Sequence, residues 1–259
     1  MPLLYNSANE IHFSNRDALA QLATPAPMGR FHQTIPFAEF TGAVAQQLYS
    51  AGIEVTAEEY AVSKDGNKFF GTMTIAPRVV EGDLITAKEW ELMVGLRGSH
   101  DQTIPRGLSI GTRVLVCSNL CFSGDLGKWH TKQTTNAQQR LVPMIQHAVG
   151  CIPAMAQQEV QRFELYKGTR INPRAADAAL VEVYRRGGLT AAQLGRAVDE
   201  YHAPTFAEHG ESHNVWRVWN ACTEALKPTG DNYNHNTLRE RSQVVTLAMD
   251  GIANALAAA

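Results

Sequence analysis

Ser99, His100 and Asp101 stand side by side within Gly95–Lys132, GLRGSHDQTIPRGLSIGTRVLVCSNLCFSGDLGKWHTK. They carry the side-chain types of a hydrolase triad. Triad members normally converge from separate segments, so their adjacency argues against covalent hydrolysis. No Gly-x-Ser-x-Gly elbow accompanies them. A plainer reading is a turn in which Ser99 and Asp101 bond backbone amides while His100 packs. A third gives His100 and Arg97 to a phosphate or a base. Arg97, Arg106, Arg113, Lys128, His130 and Lys132 crowd the same stretch, with Trp129 among them. Cations that track phosphates beside rings that stack on bases are what single-stranded nucleic acid requires. The candidate contacts are therefore Arg97, His100, Arg106, Arg113, Lys128, Trp129, His130 and Lys132.

Other chemistry is weaker. Cys117 and Cys121 with His130 make one loose pair and one histidine, short of a tetrahedral zinc set, so no metal is expected. Asp65 and Asp83 lack the partners of a magnesium nuclease. His12, His32, His147, His202, His209 and His235 form no ligand pattern. Phe69, Phe70 and Trp90 on nearby strands are read as core, like Trp216 and Trp219 at helical spacing beside His213 and Asn220. Arg185-Arg186 reads as a solvated helix face.

The elements that must position these groups follow from periodicity. Residues 1–33 read as an irregular arm, broken by Pro25 and Pro27. Pro36 opens a helix whose stripe is Phe37, Phe40, Val44 and Leu48, ended by Ala51-Gly52. Strands are expected at 53–63 and 68–76, joined through Lys64-Asp65-Gly66-Asn67, because Asp-Gly supplies the positive φ of a tight hairpin. Trp90, Leu92, Val94 and Leu96 alternate with Glu91, Met93, Gly95 and Arg97 as a half-buried strand with polar groups on its far face. A fourth strand is expected at 108–117, after a long 77–87 connection. The two polar clusters on either side of it, Arg97–Arg106 and Lys128–Lys132, are expected to meet at one surface. A long helix follows over 136–165, with kinks expected at Pro143 and Pro153. Helices are then expected at 174–186, 190–201, 213–226 and 236–258, and Thr190 with Gln193 resembles a capping box.

Alternating β-α units are missing, which excludes a doubly wound sheet. The expected class is α+β: a small antiparallel sheet packed by a long helix, with a C-terminal helical region. The expected organisation is an arm at 1–33, a core at 34–170 and a helical region at 171–259. In the 259-residue chain, 44% hydrophobic and 19% charged residues are ordinary for a globular protein. A net charge of −2 gives no global attraction to nucleic acid, so binding must use a local patch. Four cysteines make no disulfide framework, which points to a reducing, cytoplasmic setting. No basic-then-apolar leader opens the chain, so no signal peptide is expected. No apolar run is long enough to span a membrane.

Leu96-Arg97-Gly98-Ser99-His100-Asp101, Val116-Cys117-Ser118-Asn119, Phe122-Ser123-Gly124 and His130-Thr131 resemble successive phrases of a phage and plasmid family of unknown function, the YfjQ and YafZ type. Val218-Trp219-Asn220-Ala221-Cys222-Thr223-Glu224 resembles a later phrase of that family, and the likeness spans roughly residues 35 to 250. Gly98 stands where Asn is commoner. The resemblance implies mobile-element biology. The order helix, strands, long helix also resembles the core of RecT and Red-beta single-strand annealing proteins. The function expected first is single-stranded DNA binding or strand annealing in phage or plasmid recombination, by a cofactor-free, non-catalytic homo-oligomer. The alternatives are a counter-defence or regulatory protein that binds a host protein, and an enzyme using His100 and Asp101 as acid and base.

Overall fold

The computed structural model describes residues 10–76, 90–114, 123–205, 212–227 and 235–258; side chains at 113–114, 123–126, 235–236 and 239 lie outside that description. The elements in chain order are β1 (Glu10–Phe13), α1 (Arg16–Leu19), α2 (Phe37–Ser50), β2 (Glu54–Ser63), β3 (Lys68–Ala76), β4 (Trp90–Ser99), β5 (Arg106–Val114), β6 (Ser123–Thr131), α3 (Ala137–Gly168), α4 (Pro173–Arg185), α5 (Ala191–His202), α6 (Val215–Ala225) and α7 (His235–Ala257). The class is α+β. All six strands form one antiparallel sheet in chain order, so β1 and β6 are its edges. The hairpin and the two later strands thus share a sheet, as their alternation implies.

The β2–β3 turn is made by Gly66 at φ +73° and by Asp65. The Asp65 carboxylate accepts from the Asn67 amide at 3.1 Å and from the Ser63 hydroxyl. Those bonds hold its pKa down at about 2. Register pairs Phe69 with Gly98 and Phe70 with Arg97 across β3 and β4. Phe37, Phe40, Val44 and Leu48 of α2 are buried as one stripe, and Phe37 stacks on Phe69 at 4.9 Å. Along α3, Leu141, Ile145, Ala148 and Ile152 are buried at helical spacing. The helix continues through both Pro143 and Pro153.

Two regions depart from expectation. The segment read as an irregular arm contributes β1, which pairs Glu10 with Ser63 and Phe13 with Tyr60. It also contributes α1, capped by the Asn15 side chain on the Ala18 amide. Ser123–Thr131, which includes most of the Lys128–Lys132 polar cluster and for which no strand is expected, is strand β6. β1 gains its hydrogen bonds from β2, some fifty residues on, and β6 from its neighbour β5; local propensity registers neither pairing.

The described residues divide into two compact units, with the division inside α3. One is built on the sheet, α2 and α3 as far as Ala156; the other runs from Gln157 through α7 and includes Trp90. In the second, Asn172, Thr190 and Asn214 cap α4, α5 and α6, and Thr190 with Gln193 forms the expected capping box. Its core is aromatic: Trp90, Trp216 and Trp219 lie 4.9–5.4 Å from the Phe163 ring. Tyr166 donates to Asp250 at 2.7 Å from inside this core. Among the described residues, no helix is long and apolar enough to cross a membrane.

Candidate nucleic-acid interface

The Ser-His-Asp phrase is a turn. At the end of β4, the Ser99 amide donates to the Ile104 carbonyl at 3.0 Å, and Ser99 Oγ accepts from the Ile104 amide at 2.8 Å. Asp101 Oδ1 accepts from the Thr103 amide at 3.0 Å and from its hydroxyl at 2.6 Å. Burial acts upward on this carboxyl, but bonds from Ser99 and Thr103 outweigh it and hold the pKa below the ordinary value. Gln102 takes φ +64°, the left-handed conformation such a tight reversal demands. The His100 amide donates to the Asn67 carbonyl at 2.7 Å. Gln133 Nε2 donates to the Ser99 carbonyl.

As phosphate or base contacts, His100 and Arg106 would have to be exposed; both are buried, at 3% and 0% exposure, and His100 packs as the plainer reading has it. The Arg106 guanidinium lies over Phe37 with its Cζ 4.4 Å from the ring centroid. Its Nη2 donates to the Ile35 carbonyl at 2.5 Å and sits 3.3 Å from His100 Nδ1. The His100 ring packs on Phe37 at 4.0 Å. Burial lowers the Arg106 pKa to about 9. Burial, and then the Arg106 charge, lower that of His100 to about 4, so its ring is neutral at pH 7. Neither residue can reach a nucleic acid on an outer surface in this arrangement. The acid-base reading is equally poorly placed, because Asp101 is committed to the turn and His100 to Arg106.

The second cluster is different. Along β6 and just beyond it, Lys128, His130 and Lys132 are exposed while Thr131 and Gln133 are buried. Period-two alternation therefore puts the three basic side chains on one outward row, about 6.8 Å apart. Trp129 faces the other way, half-buried, with its ring 6.1 Å from that of His147 on α3. Its ring packs towards α3 rather than joining the outward row. A Cβ at Gly107 would stand 3.2 Å from that of His130, so this row lies beside the start of β5. The two clusters do reach the same end of the sheet, but Arg106 departs into the core. Arg97 is half-buried opposite Phe70. The side chain of Arg113 lies outside the described residues, as do Asp83, His209, Val116-Cys117-Ser118-Asn119 and Cys121-Phe122. The described His, Cys, Asp and Glu residues form no metal-binding group.

Sequence reading missed Arg140. Its Nη2 donates to Thr134 Oγ1 at 2.6 Å and to the Lys132 carbonyl at 3.2 Å, so the first turns of α3 add a cation beside the β6 row. The signal was one turn into the predicted helix, outside the window that looked chemical. Comparison with protein-family models, with curated proteins and with solved structures finds no match to this chain.

Proposed function

We propose that this chain binds single-stranded DNA and serves strand annealing in phage or plasmid recombination. The observation that supports the reading best is the outward row Lys128, His130 and Lys132 on edge strand β6, extended by Arg140. Lys128 and Lys132, with His130 between them, repeat along the strand as charges do along an extended phosphate backbone. With a net charge of −2 the chain offers no general attraction to nucleic acid, so binding would rely on this local row. The phrases that resemble the YfjQ and YafZ type suggest the mobile-element setting.

A salt titration of binding to a labelled single-stranded oligonucleotide tests the proposal. Affinity should fall linearly on a log–log plot, with a slope of about −0.7 for each phosphate neutralised. Absence of binding at low salt would overturn it and leave the host-protein reading in its place.

A further inference from the structure

We infer that Phe31 is a base-stacking platform of this interface, held out by the turn at residues 28–33. The inference rests on the single-stranded DNA reading above and adds to it the residue that would engage bases. Phe31 is 68% exposed and Met28, on the same turn, 67%. The turn that displays them is anchored. His32 is buried, and its Nδ1 accepts from the Met28 amide at 2.9 Å. Its own amide donates to the Gly29 carbonyl at 3.1 Å. His32 and Thr134 form an antiparallel bridge, and the Gln33 amide donates to the Gln133 carbonyl at 3.1 Å. The ring is thus presented from a fixed backbone.

That anchoring also fixes what stands beside it. The bridge sets the turn against residues 132–134, where Lys132 is exposed and Arg140 bonds Thr134. Arg30 lies over the Phe31 ring, with its Cζ 5.3 Å from the centroid. Arg30, Lys132 and Arg140 make no ion pair among the described residues. The Glu39 carboxylate accepts from Gln138 at 2.5 Å. An exposed ring among unneutralised cations is what a base with its flanking phosphates would complete. A protein partner's apolar groove would be poorly served by three cations.

The test compares a thymidine oligonucleotide with an abasic strand of equal length, bound at one salt concentration by the full chain. Phe31→Ala should weaken thymidine binding at least about fivefold and leave abasic binding unchanged. Phe31→Trp should keep the affinity and show fluorescence quenching beyond that of the wild type. Equal thymidine affinity for wild type and Phe31→Ala, or equal losses on both strands, overturns the stacking role while the DNA reading stands. A wild type that binds neither strand at low salt overturns both.

Discussion

Arg106 shows how much the face of a strand decides. Its type and neighbourhood read as a phosphate contact, but its parity places it in one row with Leu108, Ile110 and Thr112, all buried. Counting back by two from the expected strand would have put it in the core, so that part of the site was legible. Not legible was that Gly98 makes the room. A Cβ there would meet Arg106 Nη1 at 2.6 Å and Cδ at 2.7 Å. Gly98→Ala should therefore cost about 1–3 kcal/mol by overpacking, measured by urea denaturation. Gly98→Ala on an Arg106→Ala background should cost little beyond the second change alone. Full additivity would disprove the contact. The same pocket sets a pH response. His100 titrates near 4 when folded and near its ordinary 6.5 when unfolded. Between those values the unfolded chain binds the extra proton. Its contribution thus weakens stability as pH falls from about 6.5 toward about 4, by about 2–3 kcal/mol in all. His100→Asn should flatten that part of the stability profile, and an unchanged profile would show that the ring is not shielded.

At the scale of elements, the helices and the β2–β3 hairpin were readable because each carries its own signal. Asp65-Gly66 demands a positive φ, Thr190 and Gln193 cap each other, and α2 shows a clean stripe. Strand β6 was not readable, because glycine, lysine and histidine outnumber its apolar residues; β5 and α3 make it a strand. That origin explains its usefulness: with Trp129 turned inward, Lys128, His130 and Lys132 must turn outward. Lys128→Ala with Lys132→Ala should reduce the steepness of the oligonucleotide salt dependence by about 1.4. The circular dichroism should not change, since both side chains are exposed. Arg185→Ala, at an exposed position near the end of α4, should leave the slope alone. Equal effects from both sets of changes would mean diffuse charge rather than a site.

For the whole molecule, the open sheet leaves two edge strands, β1 and β6, and proteins generally pair or guard such edges. Charge guards β6. The four-residue β1 carries no lysine or arginine and exposes Ile11, which makes it the better place for a second copy to add. Light scattering at micromolar concentration should give a multiple of 28.4 kDa, and Ile11→Lys should lower it. A value of one chain for the wild type would remove the expectation of self-association. The turn at Ser99–Pro105 has a consequence of another kind. Its ties run to the Asn67 carbonyl, to Gln133 and, through Arg106, to the Ile35 carbonyl, all remote in sequence. Loop-closure entropy must be met before such ties form, so they mature late. During refolding, the His100 amide should gain protection from hydrogen exchange only after the Gly66 amide of the local hairpin. The segment that looks most like a compact local motif would then be among the last parts of its unit to become ordered.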